Sequence, residues 1–144
     1  MREKIHVDRM KAEDIGQLEE LYEELIPGYC SREIIEKHYA MVKDKENYYI
    51  AIAREGEKIL GSAMGIINIA LDAPFMVVEN VIVKSDCRKR GVGRKIFERL
   101  DKFAEGFDCE YAILVSSGFR YEAHKFYEAM GYVDDVKGFR KIYR

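Results

Sequence analysis

Between residues 84 and 95 the chain reads KSDCRKRGVGRK, which gathers Lys84, Arg88, Lys89, Arg90, Arg94 and Lys95 around two glycines, with Asp86 as the only acid. The chain as a whole carries a formal net charge of -2, so this concentration of positive charge is local. Blocks of like charge repel one another and mark either a solvated segment or a place where an anion binds. This block is flanked by the β-branched run FMVVENVIV (75–83) and by an amphipathic stretch that begins at Val92. It therefore sits where a helix starts. The first N–H groups of a helix lack intrahelical partners and the helix dipole adds partial positive charge there, so main chain alone can hold an anion. Gly91 and Gly93 remove β-carbons that would keep a phosphate away. These residues read as a pyrophosphate cradle, although a solvated basic loop has the same composition. The Walker pattern GxxxxGK[ST] is absent, and the dinucleotide fingerprint GxGxxG lacks its third glycine. Glu79 is a second chemical feature, a lone acid inside an apolar strand, where burial favours a proton-accepting role.

The rest of the sequence must supply the elements that position these groups. At 144 residues, with 48% hydrophobic and 35% charged residues and two prolines, the chain has the size and composition of one compact domain, residues 1–144. Cys30, Cys87 and Cys109 are odd in number and show no CxxC spacing, and no signal peptide or spanning apolar run is evident. A cytoplasmic protein is expected. His6, His38 and His124 form no ligand spacing with the cysteines, so no metal is expected. Period-2 and period-3.6 patterns predict a strand at 5–10, helices from Glu13 to Leu25 and from an N-cap at Ser31, and a hairpin of strands 48–53 and 59–67 turning at Gly56. A buried strand at 75–83, a helix from Val92 to Ala104, a strand at 109–117 and a helix from Ala123 to Met130 ended by Gly131 follow. YVDD and FRKIYR complete the chain as two last strands. The order β-α-α-β-β-β-α-β-α-β-β implies an α/β protein with a sheet of mixed direction.

RKRGVG (88–93), following a strand and opening a helix, resembles the R/Q-x-x-G-x-G/A signature of the GNAT superfamily of acetyl-CoA-dependent N-acetyltransferases. AHKFYEAMGY (123–132) is similar to that family's A-x-x-FYEK-x-GF segment, and VENVIV resembles the strand before the signature. The predicted element order is also that of the GNAT acyltransferase fold. The resemblance implies a cosubstrate, acetyl-CoA, whose pantetheine arm pairs with the backbone of Val81, Ile82 and Val83. An N–H near Val81 would polarise the thioester carbonyl and stabilise the oxyanion, a contribution of roughly 3 kcal/mol where such donors have been removed. It further implies that the pyrophosphate lies on the amides of Lys89, Arg90, Gly91, Val92, Gly93 and Arg94, with Arg88 and Arg90 as side-chain support. The amine nucleophile must lose a proton, and Glu79 is the candidate base. Tyr127 aligns with the tyrosine that protonates the departing thiolate in many relatives. His124, one turn away, is a candidate coenzyme contact. Many relatives have an asparagine where this chain has Arg120, which would meet coenzyme A by charge instead.

The acceptor is expected to be a small amine of aminoglycoside, polyamine or aminoalkyl type, bound by residues 22–39 and 68–74. Tyr22, Glu23, Glu24, Tyr29 and Asp72 would favour a cation there, while the same glutamates also fit the wet face of an amphipathic helix. Protein amino groups and a non-catalytic acyl-CoA sensor are the alternatives. A nucleic-acid module is disfavoured, because the net charge is negative and no aromatic residues interleave the basic patch. The expected partners are a small-molecule amine and a second copy in a homodimer, with no membrane.

Overall fold

The computed structural model describes residues 4–116 and 121–144. Strand β1 (Ile5–Arg9) leads through a 3-10 turn into helix α1 (Ile15–Leu25), and α2 (Arg32–Val42) follows. The Ser31 hydroxyl accepts the Ile34 N–H at 3.3 Å, so the expected N-cap forms. Strands β2 (Tyr48–Glu55) and β3 (Lys58–Ile69) make the expected hairpin, with Gly56 at φ 61. Then come β4 (Pro74–Val83), α3 (Val92–Gly106), β5 (Tyr111–Leu114) and α4 (Tyr121–Ala129), with Gly131 at φ 95 just beyond. The sheet runs β1-β2-β3-β4-β5, antiparallel except for the parallel pair β4–β5. The α/β class with a mixed sheet is as expected.

Two cores lie on opposite faces of this sheet. On one face α3 buries Val92, Ile96, Phe97 and Leu100 against Ala51, Ala53, Leu60 and Ala63. The helix comes close because the strands there are small: a β-carbon on Gly65 would stand 2.9 Å from the Met76 sulfur and 3.1 Å from Leu100. On the other face α1 packs Ile15, Leu18, Leu21 and Tyr22 over Ile52, Ile59 and Ile82. Asp14, buried at the start of α1, receives Arg54 Nη1 at 2.9 Å and Arg54 Nη2 at 3.0 Å, and Arg54 also reaches Asp8. This network ties β1, β2 and α1 together.

Two expected elements differ. Of the strand expected at 109–117, Tyr111–Leu114 forms and ends where its pairing with β4 stops at Val78, residue 117 lying outside the described residues. YVDD and FRKIYR form no strands. Residues 132–144 pair with no strand, and Val133, Phe139, Ile142 and Tyr143 stay exposed. Alternating apolar residues specify a face but make a strand only when they pair with an edge, and residues 132–144 do not pair with β5, the edge strand nearest in sequence.

Candidate functional site

The site begins with one extra residue in β4. Ser62 pairs with Ile82, but Met64 pairs with Glu79, so two steps on β3 oppose three on β4. Asn80 takes up the difference in a left-handed conformation, φ 55. The bulge inverts the facing of the strand. Met76 and Val78 point to the α3 face, yet Ile82 packs with α1, and Val81 and Val83 contact the α3 core. On the other side of β4 the pairing with β5 ends at Val78 and Leu114, so residues 79–83 carry no strand there among the described residues. The Lys84 N–H bonds back to the Leu60 carbonyl at 2.7 Å. By the alternation of an antiparallel ladder, the main-chain groups of Val81 and Val83 face the side that β5 has left. An extended polar ligand can pair with that edge.

Immediately beyond lies the basic loop. Lys89 at φ 70 and Gly91 at φ 79 are both left-handed, so successive N–H groups turn inward as in an anion-binding nest. The first bond of α3 runs from Lys95 N–H to the Gly91 carbonyl, 3.0 Å. The amides of Val92, Gly93 and Arg94 have no acceptor within the helix. Arg88, Lys89, Arg94 and Lys95 are exposed around them. Two of the sequence-derived cations are engaged elsewhere: Arg90 donates to Glu55 at 2.6 Å and to the Cys87 sulfur at 3.7 Å, and Lys84 pairs with Glu24 at 2.9 Å. The two glycines also divide their work. A β-carbon on Gly91 would meet nothing, so only its backbone conformation demands glycine, whereas one on Gly93 would stand 3.0 Å from the Phe126 ring. Gly93 therefore seats α4 against the first turn of α3.

That contact brings the second sequence segment to the first. Phe126 and Phe97 meet edge to face at 5.3 Å, and Tyr127 lies 5.9 Å from Phe97 between ring centroids. Tyr127 is buried and His124 half-buried. Tyr132 joins the cluster; burial, with lesser contributions from Asp101 and Tyr127, pushes its phenol up to about 12. Arg120 lies outside the described residues.

A cavity of about 410 Å³ opens on the other face of the sheet. Helices α1 and α2 and the loop between them contribute Leu18, Tyr22, Tyr29, Cys30, Ile34, Ile35, His38, Tyr39 and Val42. The sheet contributes Ile50, Ser62, Met64 and Asn80, and Met10 closes one end. Asn80 Nδ2 donates to the Tyr29 hydroxyl at 2.8 Å, linking the bulge to the α1–α2 loop. Glu79 shares the facing of its cross-strand partner Met64 and is exposed beside this cavity. The expectation of a buried Glu79 is thus corrected, because it alternates with Val78 to the face away from α3 and is exposed there.

The sequence matches the profile of the Acetyltransferase (GNAT) family over residues 15–132. The chain belongs to the GNAT acetyltransferase family. Solved structures agree in fold. A candidate acetyltransferase from Agrobacterium tumefaciens strain C58 shares 26% identity at a TM-score of 0.84, covering 95% of this chain and 99% of its own. Glucosamine-6-phosphate N-acetyltransferase from Arabidopsis thaliana shares 21% at 0.82, covering 99% and 100%. AAC(6')-Iy, solved with the bisubstrate analogue CoA-S-monomethyl-acetylneamine, shares 16% at 0.82, covering 98% and 99%. No curated protein matches the chain.

Within this GNAT chain the structure gathers Glu79 to Val83, the 88–94 loop and α4 around the opening between β4 and β5. Residues 68–74 do not line the cavity, and Glu23 and Glu24 are used structurally: Glu23 accepts the Gly28 N–H and Glu24 holds Lys84. Sequence reasoning missed Asn80, Ser62, Met64, Ile50 and Met10. Of these only Asn80 carried a signal, a turn-forming residue inside a β-branched run.

Proposed function

We propose that this chain is a cytoplasmic N-acetyltransferase that moves an acetyl group from acetyl-CoA to a primary amine by direct attack in a ternary complex. One observation carries the reading: the β4 bulge stands between an open strand edge that leads to an anion nest and a cavity under α1 and α2. A chain-like polyanion and an amine can therefore meet at residues 79–81. Acetyl-CoA fits this arrangement, since it combines an amide-rich arm with a pyrophosphate, and it supplies the activated acyl group. The backbone of Val81, Ile82 and Val83 holds the arm, with an N–H near Val81 directed at the acyl oxygen. The amides of Lys89 and of Gly91 to Arg94 hold the phosphates, assisted by Arg88, while the Arg90 N–H is given to the Cys87 carbonyl at 3.3 Å; His124 approaches from α4, and Arg120 meets the coenzyme by charge. Glu79 accepts the proton of the amine, directly or through water, and Tyr127 donates one to the departing sulfur. The acceptor is a small amine.

Calorimetric titration with acetyl-CoA tests the cradle. Binding that weakens with salt and is lost in Gly91→Glu is expected, because a side chain at that left-handed position adds both strain and negative charge. Equal affinity in wild type and Gly91→Glu would overturn the assignment.

A further inference from the structure

We infer that the acceptor is a hydrophobic monoamine, one ammonium on an apolar or aromatic body, and that this cavity selects against polyamines and aminoglycosides. The inference rests on the acetyltransferase reading and narrows it. Among the described residues, no carboxylate is among the side chains that line the cavity. Of the acids nearest in sequence, four are held by the fold and two face solvent: Glu19 accepts the Arg32 N–H at 2.8 Å, Glu23 caps Gly28, Glu24 holds Lys84 and Glu36 pairs with Arg32, while Glu20 and Glu33 are exposed outside the lining. The ionisable groups that do face the cavity carry no compensating negative charge. Burial raises the pKa of Tyr22, Tyr39 and Cys30, so all three stay neutral near pH 7.

The lining is also polarised along its length. Asn80, Tyr29 and Ser62 lie at the β4 end, next to exposed Glu79, while Ile50, Met10 and Val42 lie toward β2 and β1. β4 and β2 are two strand spacings apart, about 10 Å. A reacting amine at the bulge therefore directs the rest of its molecule under α2, onto isoleucine, methionine and valine. Glu79 can serve the one amine that reacts. A second ammonium carried along this line loses hydration and meets Ile50, Met10 and Val42, with the neutral phenol of Tyr39, which gives its hydrogen to the Met10 carbonyl, and no carboxylate in the described lining. A diamine must bury that charge or leave its methylenes in water.

Hexylamine and pentane-1,5-diamine have the same length and differ only in whether the far end is a methyl or an ammonium group. Thiol release from acetyl-CoA should give hexylamine at least a tenfold higher kcat/KM, and calorimetry with the amines alone should rank them in the same order. Ile34 lies on α2 at the cavity rim, 48% exposed, so it tolerates a polar side chain. Ile34→Glu should cut the preference at least tenfold, while the neutral Ile34→Gln should weaken hexylamine without helping the diamine. Equal or better use of the diamine by the wild type, or an Ile34→Glu variant that keeps the wild-type preference, overturns the inference and leaves the acetyltransferase reading intact. If no amine releases thiol, that reading fails, and the calorimetric ranking still decides whether the cavity prefers a single charge.

Discussion

Gly61 sits where the bulged strand, the sheet and α3 converge, and replacing it by alanine tests how tightly they are locked. A β-carbon there would stand 2.8 Å from the Ile82 carbonyl oxygen and 3.2 Å from both Ile96 Cδ1 and Val92 Cγ1. Favourable carbon contacts lie at roughly 3.5–4.0 Å, so each distance is too short by several tenths of an ångström. Two of the neighbours are side-chain tips that can move slightly. The third is backbone, fixed by the β3–β4 ladder. Overpacking of this kind costs about 1–3 kcal/mol, whereas the lower entropy of an unfolded alanine chain returns about 0.4–1 kcal/mol. The net loss is about 1–2 kcal/mol. For a chain of this length a loss of 1 kcal/mol lowers Tm by about 3 °C, so Gly61→Ala should melt about 3–7 °C below wild type. Gly106→Ala is the matched control, because its β-carbon meets nothing, and it should melt at or above wild type. Differential scanning calorimetry measures both. Acetyl-CoA affinity should weaken in Gly61→Ala alone, since Val92 opens the cradle helix and Ile82 belongs to the open strand edge. An unchanged Tm with unchanged affinity would refute the reasoning.

Arg88→Ala should keep the wild-type Tm but weaken acetyl-CoA binding and flatten its salt dependence, whereas Arg90→Ala, which removes the ion pair with Glu55, should lower Tm; thermal melts and salt titrations of both variants check the division. Tyr127→Phe keeps the buried ring, so acetyl-CoA affinity should hold while turnover falls by about 100-fold or somewhat less; near-normal turnover in steady-state kinetics would remove the acid role. Arg54→Met leaves buried Asp14 without its partner and should cost about 3 kcal/mol in urea unfolding at neutral pH. Burial alone would raise the Asp14 carboxyl, but the Arg54 hydrogen bonds and the Lys11 N–H more than offset this and hold it below 3.8. A depressed acid stabilises the fold above its unfolded pKa and loses that contribution as pH falls, so the wild-type advantage over Arg54→Met should shrink below about pH 4.

The element order down to α4 was legible because each element repeats its own period: Leu18, Leu21, Tyr22 and Leu25 on α1, and Ile96, Phe97, Leu100 and Phe103 on α3. The loop that we propose as the cradle was legible for a different reason. Its chemistry is local, confined to Arg88–Lys95 and to the start of one helix. What escaped the sequence was tertiary. Arg90 and Arg88 look alike in RKRGVG, and only the placement of Glu55 on β2 separates a structural arginine from an exposed one. Gly91 and Gly93 look alike too, until Phe126 arrives from another helix. The cavity draws its sides from two helices and three central strands, so no contiguous segment announces it. The acidic residues of α1 suggested a cationic site, but they cap and brace the helices. The last strands failed because alternation specifies a face, not the neighbour that must cover it.

The central claim is acetyl transfer at the β4 bulge. Incubation of the chain with acetyl-CoA and hexylamine, followed by mass spectrometry of the amine and titration of the released thiol, tests it most directly. The account predicts N-hexylacetamide and free coenzyme A in equal amounts, with product formation lowered in Glu79→Gln most strongly at low pH. Tight binding of acetyl-CoA with no acetylated amine from hexylamine or any other primary amine would contradict it.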